Sequence, residues 1–148
     1  MSSRITFAIP GNGSDELCVG QVYILSILNT NEVLTAVNRQ DLKLRPFNWD
    51  YNQRWRLDPH IENRHTFVNI ATGNCLGTSP QNAFLWCRLD NFWPSEQFTF
   101  IPQKTGGYHL YNHANERPRL VTRQGNEDSL CTTAKGNAFV TIGVHRAE

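Results

Sequence analysis

The sequence predicts an all-β protein, a β-trefoil: three repeats of four short strands closing into one barrel with a hairpin cap. Three observations predict it. The stretch Asn52-Gln53-Arg54-Trp55-Arg56-Leu57 is echoed at Glu96-Gln97-Phe98-Thr99-Phe100 and more faintly at Phe139-Val140-Thr141-Ile142. A recurrence at a spacing of roughly 40 residues marks internal repetition. Glycine, proline, asparagine and aromatics are frequent while helical periods rich in Ala, Glu and Lys are missing, which suits strands joined by turns. Short β-rich runs separated by turn clusters recur along the whole chain.

The 148 residues fit one domain, 1–148, with repeats at about 20–59, 61–102 and 106–144. A formal net charge of +1 and the lack of any basic run with interleaved aromatics argue against nucleic acid and against an anionic membrane surface. No run is long enough for membrane insertion, and Met1-Ser2-Ser3-Arg4-Ile5-Thr6-Phe7 lacks the apolar core of a signal peptide. The expected location is therefore the cytosol, with any release by a non-classical route. Cys18, Cys75, Cys87 and Cys131 are then read as free, buried thiols. None forms a Cys-x-x-Cys pair, so no structural zinc is expected. Asn12-Gly13-Ser14 matches a glycosylation acceptor but reads as a plain turn.

In the first repeat, Val22 to Leu28 is too branched and too short for a stable helix. Asn29-Thr30-Asn31 turns it, Val33 to Val37 returns, and Asp41-Leu42-Lys43-Leu44-Arg45 alternates as a half-buried strand should. An aromatic loop, Phe47 to Tyr51, leads into a strand containing Gln53, Trp55 and Leu57, ended by Asp58-Pro59. The second repeat has strands at 66–70, 75–78 and 83–89, turns at Ala71-Thr72-Gly73-Asn74 and Ser79-Pro80-Gln81-Asn82, and its own aromatic loop before the Gln97 strand. The third runs through strands at 108–112, 119–122 and 129–132 to a closing strand at 138–142. Ile27, Asn69 and Asn112 fall in register, as do Leu34, Leu76 and Leu120. One such unit cannot bury its apolar face, so three share a core, and closure removes free strand edges. The expected core is Leu34, Leu76 and Leu120 with Trp55, Phe98 or Phe100, and Phe139.

Gly73-Asn74-Cys75-Leu76, Phe84-Leu85-Trp86-Cys87-Arg88-Leu89-Asp90-Asn91 and Gln97-Phe98 together resemble the ricin B-chain-like lectins. Repeats of that family end in Gln-x-Trp, which Gln53-Arg54-Trp55 matches in full and Gln97-Phe98-Thr99 in part. The single-trefoil length is most like the cytoplasmic fruiting-body lectins of mushrooms. The resemblance implies a lectin that binds glycans or glycoproteins in shallow pockets, where an Asp accepts from two hydroxyls and an aromatic ring stacks on the sugar. The family's Asp follows the leucine of the second strand. Here those places hold Thr35-Ala36, Gly77-Thr78 and Val121-Thr122, a departure from the pattern.

The aromatic loops offer other candidates. Trp86, Asp90, Asn91, Phe92 and Trp93 combine rings with an acceptor and an amide, as do Phe47, Asn48, Trp49, Asp50 and Tyr51. Clustered rings either mark a binding surface or pack under the barrel as loop anchors. Asn126, Glu127 and Asp128 give the third repeat polarity without a nearby ring. No enzyme activity is expected: His60, His65, His109, His113 and His145 are scattered, and no nucleophile elbow, phosphate loop or carboxylate pair is present. No cofactor or metal is implied. The alternatives are a trefoil protease inhibitor acting through the 10–15 or 47–52 loop, and an accessory subunit binding another protein. A homodimer would multiply weak single-site affinity.

Overall fold

The computed structural model describes residues 7–38, 40–58, 63–79 and 83–147. Within them the first unit contains β1 (Val22–Ile27), β2 (Glu32–Val37), β3 (Asp41–Pro46), a 3-10 turn at Tyr51–Gln53, and β4 (Trp55–Asp58). The second contains β5 (Thr66–Asn69), β6 (Cys75–Thr78), β7 (Leu85–Leu89), a 3-10 turn at Pro94–Glu96, and β8 (Phe98–Pro102). The third contains β9 (Tyr108–Asn112), β10 (Arg119–Arg123), β11 (Leu130–Thr133) and β12 (Ile142–Arg146). No helix among the described residues is long and apolar enough to cross a membrane. Pro59, His60 and the Pro80-Gln81-Asn82 turn lie outside the described residues.

Six of the strands close a ring. β1 pairs with both β4 and β12, β4 with β5, β8 with β9, and β9 with β12. The remaining joint is made by His65 and Phe98, whose backbones exchange bonds of 2.7 and 2.9 Å. The other six strands form the hairpins β2–β3, β6–β7 and β10–β11, which meet over one end of the ring. Asp41 lies opposite Trp86, Phe84 opposite Cys131, and the Leu44 amide donates to the Asp128 carbonyl at 2.7 Å. Every ring strand thus has two neighbours, which leaves the barrel without an edge.

The barrel is filled by alternate residues, among them Leu25, Trp55, Phe67, Phe98 and Leu110. Trp55 is fully buried, and its Nε1–H donates to the Leu34 carbonyl at 3.1 Å, so the indole nitrogen is satisfied inside the core. Leu34, Leu76, Phe98 and Phe100 are core residues as expected. Two expectations are corrected. The third leucine place belongs to Val121, which is in the core cluster, while Leu120 is buried outside it. Phe139 is half-buried and stacks on His109 with centroids 4.4 Å apart. The reason is that the closing strand begins at Ile142, where Ile142 and Val144 supply the inward alternation.

The two histidines near that surface each find a hydroxyl. His109 bonds Thr141 and His113 bonds Thr99.

Candidate functional site

Strand pairing fixes which residues are equivalent in the three units. Trp55 pairs with Tyr23 and Asn69, Phe98 with His65 and Asn112, and Ile142 with Tyr108 and Ile27. The residue two before each is Gln53, Glu96 and Val140. The structural partner of Gln53 is therefore Glu96, and the Gln-x-Trp echo read at Gln97 is one residue out of register. Gln53 is also not on a strand: it ends one 3-10 turn, as Glu96 ends the other. The amide of Asn69 donates to the Asn52 carbonyl and that of Asn112 to the Ser95 carbonyl, which confirms the alignment independently.

In the first unit this position is fully bonded. Gln53 Nε2 donates to the Pro46 carbonyl at 2.9 Å and to Thr35 Oγ1 at 3.2 Å, and its Oε1 accepts from the Asn48 amide at 2.9 Å. In the third unit Val140 packs against the core. The second unit places an acid there. Glu96 is fully buried, and in place of Thr35 it faces Gly77. A Cβ on Gly77 would come within 2.6 Å of Glu96 Oε2, so the carboxyl fills the space a side chain would take. The Ser95 hydroxyl donates to Oε2, while Oε1 has no partner. Burial pushes this acid up to about 7 from the ordinary 4.5, with the Ser95 bond acting in the opposite direction. Trp86 Nε1 and Asn91 Oδ1 are likewise buried without a partner. Three under-bonded polar atoms thus lie between the start of β7 and the end of the second 3-10 turn.

The two aromatic loops part company here. Phe47 is 2% exposed and packs with Ile24 and Val33, and Trp49 lies edge-on to it at 4.7 Å. Arg54 donates twice to the Trp49 carbonyl and sits 4.6 Å over Tyr51. Asn48 and Asp50 are exposed but bonded to each other, the Asp50 backbone amide donating to Asn48 Oδ1. The first loop is anchored through Phe47 and Trp49, while Tyr51 is 64% exposed beneath Arg54. In the second, Gln97 Nε2 donates to the Phe92 carbonyl as Arg54 does to Trp49, which makes Asp90 the counterpart of Phe47. An acid cannot enter an apolar slot, and Asp90 stays at the surface. Without that anchor the loop presents its rings: Phe92 is 43% and Trp93 62% exposed. Trp86 stands apart on β7, in register with Gly77 and with Arg88 stacked 4.8 Å over its ring.

No family model and no curated protein sequence matches the chain. Solved structures do. A designed three-fold symmetric protein, ThreeFoil, superposes with a TM-score of 0.69 at 13% identity, covering 84% of this chain and 97% of that one. The Macrolepiota procera ricin B-like lectin, solved with lactose, gives 0.69 at 13% identity over 89% and 99%. The Polyporus squamosus lectin, solved with a sialylated influenza-binding epitope, gives 0.64 at 12% over 87% of this chain and 49% of its own. The fold is decided. The chain is a β-trefoil.

The pseudo-symmetry of the trefoil brings out what the sequence reading missed. In the sequence Glu96 is masked by Gln97 beside it, which carries the motif letter. Its signal was present in Gly77, a glycine inside a buried strand, which marks a close approach by something else. The trefoil's cysteines are all free, and Cys18 is only half-buried. Burial pushes Cys75 up to about 12, with help from the nearby Glu96, and Cys87 up to about 11, so neither forms a thiolate readily. No group of His, Cys, Asp and Glu among the described residues has the arrangement of a metal site.

Proposed function

We propose that this trefoil is a carbohydrate-binding module without enzymatic activity, reading glycans or glycoproteins at one shallow site on the loop of its second unit. The observation that carries the reading is the pair of exposed rings, Phe92 and Trp93, beside the exposed carboxylate of Asp90. A sugar offers an apolar face for a ring and hydroxyls for a carboxylate, and a shallow site needs both to fix a pose. The fold shared with proteins named as lectins supports this by analogy, since fold alone does not set function. A cytosolic location belongs to the same reading and accords with three buried free thiols.

The two loops of the inhibitor alternative are both tied to the barrel. Residues 13–15 are stitched to β12, with Val144 donating to the Gly13 carbonyl at 2.7 Å and Asp15 to the Val144 carbonyl at 3.0 Å. The 47–52 loop is clamped by Gln53 and Arg54.

The test is a glycan array probed with the wild-type chain, Trp93→Ala and Trp49→Ala. Signal in the wild type that disappears with Trp93→Ala and survives Trp49→Ala is expected. A blank array overturns the reading in favour of a protein-binding accessory role.

A further inference from the structure

Glu96 is buried at the end of the 3-10 turn that follows the ring-bearing loop, and the two other units show what that position looks like when it is at rest. Gln53 spends both its donor and its acceptor atoms on neighbours, and Val140 needs none. Glu96 alone is mismatched, facing a glycine with one oxygen unbonded.

A buried carboxyl in that condition is tolerable as the neutral acid and costly as the anion. Among the described residues the surroundings offer the anion one donor, the Ser95 hydroxyl on Oε2, and no cation. On β6 the facing group is the Cys75 thiol, with Cys87, Asp58 and Asp90 around it. On the β9 side Asn112 bonds the Ser95 carbonyl, and His113 bonds Thr99. Arg64 donates to Gln97 Oε1, not to Glu96. The loop above is joined to this turn by the Glu96 backbone amide to the Trp93 carbonyl at 2.8 Å, the Gln97 amide to the Pro94 carbonyl at 3.1 Å, and the Gln97 side chain to the Phe92 carbonyl at 2.9 Å.

We propose that Glu96 is a proton-operated latch. As the neutral acid it lies folded against Gly77 and holds Phe92 and Trp93 in their presented pose. As the carboxylate it leaves for water, and the 92–95 loop opens. The proposal rests on the reading of this loop as the glycan site and adds its regulation: binding is strong at mildly acid pH and weakens through neutrality. The sign follows from linkage. The closed loop binds a proton more tightly than the open one, so its stability is full below 4.5, falls as pH rises, and levels off above about 7.

The first measurement needs no glycan. Amide hydrogen exchange of residues 91–97 is followed in the full chain, corrected for intrinsic exchange rates, in wild type and in Glu96→Gln. The variant carries the residue the first unit already uses at this place, so it is expected to fold. Protection in the wild type should fall by about two orders of magnitude between about pH 4.5 and about pH 7, while β2 and β10, which carry no histidine, are unaffected. In Glu96→Gln it should stay flat. Protection that is flat in the wild type, or that falls equally in the variant, overturns the latch.

The second arm uses the strongest glycan from the array, titrated at the two ends of that range. Binding should weaken toward high pH in wild type and not in Glu96→Gln. Exchange that follows the expected pattern while no glycan binds keeps the latch and removes the glycan reading. Glycan binding together with flat exchange removes the latch and keeps the site.

Discussion

Gly77 and Glu96 fit each other with no space to spare. A Cβ on Gly77 would stand 2.6 Å from Glu96 Oε2 and 2.9 Å from the Ser95 carbonyl oxygen. The carboxyl end of Glu96 can swing aside, but the Ser95 backbone cannot without moving the 3-10 turn. Gly77→Ala should therefore cost about 1–3 kcal/mol as overpacking, read from urea unfolding. A cost below about 0.5 kcal/mol would mean that the two do not meet as described.

The reciprocal change belongs in the first unit. Gln53→Glu keeps the acceptor for the Asn48 amide but sets oxygen against the Pro46 carbonyl oxygen and makes Thr35 give up its bond to the Val33 carbonyl if it is to donate instead. We expect a loss of about 2–4 kcal/mol at neutral pH and a smaller one in acid, where the carboxyl can regain a donor. Equal stability at both would break the equivalence of Gln53 and Glu96.

Ser26 and His145 are 2.7 Å apart in a buried pair, and the other imidazole nitrogen is 2.7 Å from the Pro10 carbonyl. A carbonyl only accepts, so Nδ1 carries a proton; in the neutral ring that burial favours, Nε2 then accepts from Ser26. Burial holds His145 below its ordinary 6.5, and His65 likewise. A depressed histidine gives stability that is full above 6.5 and is lost as pH falls below it. Glu96 works in the opposite direction, so the effect should be measured in Glu96→Gln, whose unfolding free energy should drop on acidification from 6.5. A flat or rising value would contradict a neutral buried ring.

The tryptophans should rank by burial. Trp55→Phe loses the bond to Leu34 and leaves a void, at about 2–4 kcal/mol. Trp49→Ala loses its contact with Phe47 and its place beside Arg54, at about 1–2 kcal/mol. Trp93→Ala, at 62% exposure, should stay within about 0.5 kcal/mol. Thermal or urea melts of the three suffice, and any other order would misplace the loops.

Strand positions were legible because period-two alternation and turn chemistry are local. Asn29 turns at a φ of 65° and Gly73 at 74°, where the sequence places turns. Register was less so. Gln53 and Gln97 share a letter, yet they occupy adjacent places around a 3-10 turn, and only strand pairing distinguishes them. The loops were legible as aromatic but not as anchor or platform. That difference turns on Phe47 against Asp90, two residues whose equivalence depends on backbone bonds across five positions. The third unit's rings were hidden for a related reason: His109 and Tyr111 share β9, but Phe139 comes from a later segment and meets them only in space.

β1 lies against β12, its partner across 119 residues in the Ser26–His145 contact. During synthesis the first strand therefore leaves the ribosome long before its second neighbour exists. Until residues 142–146 emerge, one side of Val22–Ile27 is an open strand edge rich in branched and aromatic residues. Such a chain stays exposed to association with its own copies for most of its translation. Slow elongation or early termination should thus yield aggregate, and a chaperone that shields the first unit should matter most at the end of the message.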